Sequence, residues 1–267
     1  MPGENPVNHP SNLIKRIQKL QHKRARMQHG LFFAQGNRLV AEAIQAGVDI
    51  CECLYVPNLL KSTVSWQSLE TLRQRDVPIT AVSPQQFQRL SPKKSSAIGI
   101  VARSQSECLT DIRPGKQSLG WVALDSVANP GNLGTIMRTC DAVGCEGILL
   151  LGPTTDPFHP TAVQASMGAV FTMRFVCASF AEFLRWKQAH GIVVVGTSGT
   201  AVHTYRQLQY PAPSVLLMGS ERMGLSCEQQ AACDLVASIP MVGSSDSLNL
   251  AVATGVMLYE IFHQIHA

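Results

Sequence analysis

The chain has 267 residues, of which 45% are hydrophobic and 15% are charged, and its formal net charge is +4. This composition is typical of a globular protein and excludes an intrinsically disordered one, which lacks the apolar residues needed for a core. No run reaches the roughly 18 consecutive apolar residues of a membrane span, and the amino-terminal residues lack the apolar core of a secretory signal. We therefore expect a cytoplasmic protein.

The eight cysteines show neither C-x-x-C pairs nor the spacing with histidines that is typical of metal sites. Most of them lie in apolar runs, as Cys140 and Cys177 do. We predict buried thiols without disulfides, as expected in a reducing compartment, and no bound metal.

The amino-terminal segment is basic and has no acidic residue from Asn5 to Ala41. Its cationic residues are Lys15, Arg16, Lys19, Lys23, Arg24, Arg26 and Arg38. Leu13, Ile17 and Leu20 keep helical spacing, which predicts a helix with one buried face and one basic face. Such a face suits RNA, because each neutralised phosphate releases a counterion, although a solvated helix is the simpler explanation of a charge run alone.

Residues 37–102 alternate between helical and strand patterns. Helices are predicted over 38–46, over 65–75 and after Ser83-Pro84, and strands over 50–56, 79–82 and 98–102. Residues 103–118 are polar and contain Pro114 and Gly115, which indicates a linker. The predicted division is therefore a first domain over 1–106, a linker over 107–118 and a second domain over 119–267.

The second domain alternates between short apolar strands and helices. Strands are predicted over 119–124, 147–151, 170–176, 192–196, 214–218 and 235–239, and helices near 132–143, 160–168, 179–190, 226–233 and 248–265. This pattern predicts an α/β fold with a parallel sheet covered by helices on both faces. Ligands of such sheets bind in the loops at the carboxyl ends of the strands.

Three segments at predicted strand ends carry polar residues, and we name them the first motif (residues 125–139), the second motif (219–225) and the third motif (239–260). In the first motif, helical spacing places Arg138 opposite an apolar face, one turn after Gly134, whose missing Cβ would let a ligand approach. From periodicity alone, an ordinary exposed arginine after a βα turn is the simpler explanation. In the second motif, Glu221 stands between two glycines, which suits a ligand wall but equally a turn with a solvated pair of Glu221 and Arg222.

The third motif joins a polar loop to a long apolar helix. Ser247 is predicted to cap this helix, and Asn249 is a polar residue at the head of an otherwise apolar segment, unless it completes the cap. Several other chemistries are excluded, because the chain has no G-x-G, no G-x-S-x-G, no Walker pattern and no H-E-x-x-H.

Together the three motifs resemble the SpoU/TrmH family of the SPOUT superfamily, which comprises RNA ribose 2′-O-methyltransferases. The family pattern N-P-x-N-x-G-x-I-x-R stands at residues 129–138, G-x-E-x-x-G at 219–224, and I-P-M-x-G followed by S-L-N at 239–249. The stretch FFAQGNRLVAEAI resembles the family's L30e-like RNA-binding domain. One departure is Gln164, which stands where the family often has an arginine before Ala-Ser.

The resemblance implies a carboxyl-terminal trefoil knot, against the usual rule for chain connections, and a homodimer whose active sites use both protomers. It implies S-adenosylmethionine as methyl donor, bound by Thr197, Met218, Gly219, Ile239, Met241 and Leu248. The catalytic residues that it implies are Arg138, Asn132, Glu221, Ser247 and Asn249. Because arginine is hard to deprotonate, we expect Arg138 to clamp a phosphate and stabilise the developing alkoxide rather than act as a base.

The other catalytic residues have supporting roles in this prediction. Asn132 and Asn249 would orient the loops and the nucleotide, and Ser247 would contact the substrate. Glu221 would either hold Arg138 or order the second motif.

Two other functions compete with this prediction. A non-catalytic RNA-binding paralogue is disfavoured because the three motifs are complete, and a dinucleotide-dependent oxidoreductase is disfavoured because G-x-G is missing. The separate amino-terminal domain favours ribosomal RNA over tRNA as the substrate, and a role in antibiotic resistance stays open.

Overall fold

A computed structural model describes residues 10–90, 97–113, 115 and 120–266. The described residues divide into two compact units: residues 1–105 with Phe158–Phe171, and residues 106–157 with 172–267. Pro114, residues 116–118 of the predicted linker and Leu119 of the next predicted strand lie outside the described residues. Residues 158–171, predicted within the second domain, are therefore grouped with the first unit.

The first unit contains a sheet in which, among the described residues, four strands follow the order β1-β4-β2-β3. β4 is antiparallel to β1 and β2, and β3 is parallel to β2. The elements are α1 (Pro10–Lys19), α2 (Lys23–His29), β1 (Leu31–Gln35), α3 (Asn37–Gln45), β2 (Ile50–Tyr55), α4 (Thr63–Gln74), β3 (Ile79–Ala81), α5 (Pro84–Gln88) and β4 (Ile98–Arg103).

The structure confirms most of the predicted elements of this unit and adds two. Ser83 caps α5 as predicted, since its Oγ accepts a hydrogen bond from the backbone N of Gln86 at 3.2 Å. The sequence did not predict α2 or β1. β1 is a short apolar run that lacks alternation, and it is recognisable as a strand only from its pairing with β4.

Arg26 lies inside the first unit, so its inclusion in an exposed basic face, whether phosphate-binding or simply solvated, was wrong. Its side chain is 2% exposed, and its Nη1 donates to the carbonyl oxygens of Leu20 at 2.7 Å and Gln21 at 2.9 Å. The guanidinium thus holds the turn between α1 and α2. Two further cations are paired within the unit, Arg16 with Glu52 and Arg38 with Glu42.

We expect Arg26→Met to lower the free energy of unfolding by about 2 to 4 kcal/mol, because the buried carbonyl group of Leu20 and the partly buried one of Gln21 lose their donor. Arg24 is exposed on the same helix, so Arg24→Met should change stability by less than about 0.5 kcal/mol. Urea unfolding of the two variants provides the comparison. Equal stabilities would mean that the Arg26 hydrogen bonds contribute nothing.

The second unit is an α/β layer in which, among the described residues, seven parallel strands follow the order β7-β6-β5-β10-β8-β11-β9. The sheet is flanked by helices. The elements are β5 (Trp121–Asp125), α6 (Pro130–Ala142), β6 (Gly147–Leu151), β7 (Arg174–Ala178), α8 (Phe180–His190), β8 (Val193–Thr197), β9 (His203–Thr204), β10 (Ser214–Met218), α9 (Cys227–Ala231), β11 (Leu235–Ser238) and α10 (Leu250–His266). The helix predicted over 160–168 is α7 (Pro160–Ser166) and belongs to the first unit.

The strand predicted over 170–176 begins four residues later, at Arg174. Residues 169–171 form a single 3-10 turn instead. The preceding residues Met167 and Gly168 have φ values of 56° and 116°, so the backbone turns there and cannot enter an extended strand at once. The two-residue strand β9 was not predicted, because a segment this short has no periodicity.

Alternate residues of β5, β6 and β10 pack against Phe183 and Trp186 of α8 and form a continuous core. β6 and β10 are buried along their whole length, which explains why they read as unbroken apolar runs. Glu107 attaches the segment before β5 to β7, because Arg174 donates to its carboxylate at 2.7 and 2.5 Å. These hydrogen bonds hold the pKa of Glu107 below its usual value.

The prediction that the cysteines are buried is correct for Cys53, Cys140 and Cys145 and wrong for Cys108, Cys177 and Cys227, which are exposed. Cys177 lies on β7, the edge strand of its sheet, so one side of its apolar run faces outward. Burial raises the pKa of the Cys53 thiol to about 12, which keeps it protonated at neutral pH.

No helix within the described ranges combines the length and apolar character needed to cross a bilayer. In the same part of the chain, no three His, Cys, Asp or Glu side chains are grouped so that they could hold a metal ion.

Candidate functional site

The strand order of the second unit places the three motifs side by side. β5, β10, β8 and β11 are consecutive neighbours and all parallel, so their carboxyl ends lie along one edge of the sheet. The first motif follows β5, the second follows β10 and the third follows β11. This edge is where ligands of parallel α/β sheets bind.

Asn129 sets the direction in which the first motif enters α6. Its Oδ1 accepts hydrogen bonds from the backbone N of Gly131 at 2.8 Å and of Asn132 at 3.4 Å, and Pro130 occupies the first helical position. Arg138 is consequently exposed on the side opposite the buried apolar face, as predicted. Gly134 is buried, so the ligand approach predicted at this glycine has no open surface in the chain.

Glu221 of the second motif binds the first motif. Its carboxylate accepts hydrogen bonds from the backbone N of Ala128 at 3.3 Å, from that of Asn129 at 3.2 Å, and from Asn132 Nδ2 at 2.6 Å. Among the described residues it forms no hydrogen bond or ion pair with Arg138. Of the two roles that the sequence left open for Glu221, its hydrogen bonds correspond to the ordering of loops.

Asn132 continues this hydrogen-bond chain to the third motif. Its Oδ1 accepts from Asn249 Nδ2 at 3.1 Å, and Asn249 Oδ1 accepts from the backbone N of Ala251 at 2.9 Å. A carboxylate can only accept, so Asn132 must present its NH2 group to Glu221 and its oxygen to Asn249. The chain Glu221–Asn132–Asn249 therefore has one direction and joins all three motifs.

The prediction that Ser247 caps the last helix was wrong. α10 begins at Leu250, and Asn249 caps it through the hydrogen bond to Ala251. Ser247 lies too far before the first turn to reach its N–H groups, and its Oγ donates to Asp246 Oδ1 at 3.2 Å. Its predicted contact with the substrate stays a prediction.

Arg138 has no ion-pair partner within the part of the chain that the structure describes. It is exposed on α6, on the side of the helix opposite its buried residues. An unpaired guanidinium keeps its five donors available for a phosphate or another oxyanion.

The residues predicted to bind the methyl donor line one cavity of about 240 Å³. They are Thr197, Met218, Gly219, Ile239, Met241 and Leu248. Met218 and Gly219 are buried, whereas Met241 is 39% and Leu248 38% exposed. Glu221 and Ser247 also line this cavity, which places it directly beside the hydrogen-bond chain. Their roles in binding stay predictions.

The second motif needs glycine at position 219 for a steric reason. Ser220 and Gly224 exchange backbone hydrogen bonds at 3.1 and 3.0 Å, which folds the loop back on itself. A Cβ on Gly219 would lie 2.0 Å from the carbonyl carbon of Gly224. Backbone atoms cannot move aside as a flexible side chain can, so a larger residue at 219 must open the loop.

We expect Gly219→Ala to weaken binding of S-adenosylmethionine more than tenfold and to lower the melting temperature, because the loop forms the cavity wall. Gly243→Ala is the matched control, since a Cβ at Gly243 meets no atom within 4 Å. Calorimetric titration and thermal unfolding would measure both effects. Normal binding by Gly219→Ala would show that the cavity wall tolerates an open loop.

Several cavity residues were not identified from the sequence. Ser198, Arg222, Gln230 and Asp246 also line it. Gln230 comes from α9 and donates from Nε2 to the carbonyl oxygen of Leu225 at 2.9 Å, a contact that no motif indicates. Asp246 and Arg222 stand beside recognised motif residues, and this adjacency is the signal that could have identified them.

Sequence comparison identifies two regions of the chain. Residues 121–259 match the SpoU rRNA Methylase family, and residues 11–102 match the MRM3-like substrate binding domain. The chain is 31% identical to the 23S rRNA (uridine(2479)-2'-O)-methyltransferase of Streptomyces viridochromogenes over 92% of this chain and 87% of that protein. It is 39% identical to the 23S rRNA (guanosine-2'-O-)-methyltransferase RlmB of Pseudomonas aeruginosa over 54% of this chain and 58% of that protein.

Solved structures give the same result over nearly the whole chain. The AdoMet-bound rRNA methyltransferase from Sinorhizobium meliloti has a TM-score of 0.85 at 35% identity, covering 98% of this chain and 97% of that one. The SpoU methyltransferase AviRb from Streptomyces viridochromogenes, in complex with AdoMet, has a TM-score of 0.87 at 29% identity, covering 96% and 98%. The chain therefore belongs to the SpoU rRNA methylase family.

Proposed function

We propose that the chain transfers a methyl group from S-adenosylmethionine to a ribose 2′-hydroxyl of ribosomal RNA. The observation that carries this proposal is the Glu221–Asn132–Asn249 hydrogen-bond chain, which binds three family motifs together beside a cavity at the carboxyl edge of a parallel sheet. Two relatives of the chain are named as 23S rRNA 2'-O-methyltransferases, one of them matching over 92% of this chain, and two structural neighbours contain AdoMet.

The cavity fits a nucleoside methyl donor in its chemistry. Ile239 and Leu248 supply apolar walls of the kind that hold an adenine ring, and the loop at Gly219 brings backbone close to the ligand without an intervening side chain. Thr197, Met218 and Met241 complete this wall. When bound, the donor supplies an already activated methyl group on a sulfonium.

The protein's task is then to align the ribose oxygen and exclude water. Arg138 clamps a phosphate beside the target ribose and stabilises negative charge developing on the 2′-oxygen. Asn132 and Asn249 hold the first and third motifs in register, and Glu221 fixes the second motif against the first. Ser247, at the cavity rim, contacts the substrate.

Three structural proposals accompany this function. The carboxyl-terminal part of the sheet forms the trefoil knot that the family resemblance implies, and the first unit is an L30e-like domain that binds the RNA substrate. The match of residues 11–102 to a substrate binding domain supports the second of these. The chain acts in the cytoplasm as a homodimer. Helix α10 contributes to the dimer surface through exposed apolar residues such as Val252 and Tyr259.

The test is transfer of labelled methyl groups from S-adenosylmethionine to purified 23S rRNA, 16S rRNA and tRNA. We expect label in 23S rRNA at one linkage that resists alkaline hydrolysis, because a methylated 2′-oxygen cannot attack its phosphate. Label at a base, with every linkage cleaved by alkali, would contradict ribose methylation. Bound S-adenosylmethionine without transfer to any RNA, ribosomal particles included, would favour a non-catalytic RNA-binding paralogue.

A further inference from the structure

Among the described residues that line the cavity, three carry charge: Glu221, Arg222 and Asp246. The carboxylate of Glu221 is already hydrogen-bonded within the protein, since it accepts from two backbone N–H groups and from Asn132. Among the described residues, the Arg222 and Asp246 side chains have no comparable set of hydrogen bonds. They come from different motifs, Arg222 from the second and Asp246 from the third.

Arg222 and Asp246 have opposite charges on one cavity but do not pair with each other. Within the described ranges, Arg222 forms no ion pair, and both side chains are exposed. Asp246 accepts a hydrogen bond from Ser247 Oγ at 3.2 Å, which leaves acceptor sites on its carboxylate available. The cavity thus offers one cationic and one anionic group together.

We propose that Arg222 and Asp246 bind the amino-acid end of S-adenosylmethionine, with Arg222 at the ligand carboxylate and Asp246 at the ligand ammonium group. This inference rests on the proposed function. It assigns a zwitterion-binding role to two residues that lie outside the catalytic and donor-binding residues identified from the sequence.

The charges of the cavity favour this assignment. S-adenosylmethionine carries a carboxylate, an ammonium and a sulfonium, so its net charge is positive, and the three charged cavity residues together are negative. A guanidinium binds a carboxylate through two parallel hydrogen bonds, and a carboxylate binds an ammonium by a charge-assisted one. The apolar wall at Ile239 and Leu248 is left for the adenosine part.

The experiment compares three ligands by calorimetric titration or competition: S-adenosylmethionine, S-adenosylhomocysteine and 5′-methylthioadenosine, which has no amino-acid part. The variants are Arg222→Gln and Asp246→Asn, which remove charge and nearly keep shape. The control is Arg185→Gln, an exposed arginine on α8 that does not line the cavity.

We expect Arg222→Gln and Asp246→Asn each to weaken binding of the first two ligands about tenfold and to leave that of 5′-methylthioadenosine unchanged. The control should bind all three as the wild type does. Unchanged affinity for S-adenosylmethionine, or an equal loss for 5′-methylthioadenosine, would overturn the assignment. A wild-type protein that binds none of the three would overturn the proposed function as well, which separates the two failures.

Discussion

Replacing Arg138 by alanine is expected to reduce methyl transfer to RNA at least a hundredfold while leaving stability and donor binding unchanged. Removing one donor that stabilises developing negative charge typically lowers turnover by about 10² to 10³. Arg138 is exposed and unpaired among the described residues, so the substitution breaks no internal contact. The rate constant of a single turnover with 23S rRNA, measured beside the melting temperature, tests the prediction.

Two further variants sharpen this result. Arg185→Ala removes an exposed helical arginine of the same unit that lies away from the cavity, and it should retain full activity. Arg138→Lys keeps the charge but cannot form two parallel hydrogen bonds, so we expect it to recover only a small part of the rate. Near-normal turnover by the lysine variant would contradict a bidentate clamp.

Asn132→Asp is expected to reduce activity by a comparable factor and, in addition, to destabilise the protein at neutral pH by about 1 to 2 kcal/mol. The new carboxylate would face Glu221 at the position where Asn132 Nδ2 now donates at 2.6 Å. Two acceptors of like charge repel, so the first and second motifs must separate. The hydrogen bond from Asn249 to residue 132 would persist, since its acceptor oxygen is retained.

The pH dependence of this variant identifies the cause. Each carboxylate raises the proton affinity of the other in the folded state, so the pKa of the pair lies above its unfolded value. Stability relative to wild type is then recovered as pH falls through that raised pKa and is lost as pH rises through it. Asn132→Ala lacks the second carboxylate and should show a stability deficit that does not vary with pH. A constant deficit in both variants would exclude repulsion by Glu221.

Much of the second unit could be predicted from the sequence because its patterns are local. β6 and β10 are continuous apolar runs since they are buried along their whole length, and the exposed position of Arg138 followed from its 100° steps along α6. The three motifs are also recognisable as ordered strings of residues. Local patterns therefore predicted the α/β fold class, and the resemblance of the three motifs to a known family indicated the residues of the candidate site.

Other features depended on contacts that the spacing of residues along the chain does not show. Arg26 has the charge of its neighbours, but the carbonyl groups of Leu20 and Gln21 make it a buried structural residue. β1 is a strand because β4 pairs with it, and Cys177 is exposed because β7 ends the sheet. Neither strand order nor burial is encoded within a few residues, so spacing could not reveal them.

The connectivity of the site was likewise decided by the tertiary structure. Asn249, and not Ser247, caps α10, because the helix begins at Leu250. Glu221 binds Asn132, 89 positions earlier in the chain, whereas no hydrogen bond among the described residues joins it to Arg138, the partner that the resemblance had allowed. The sequence by itself determined which residues are predicted to take part in catalysis. Only the packing of parallel strands side by side determined which of them meet, because it brings separate loops to one edge of the sheet.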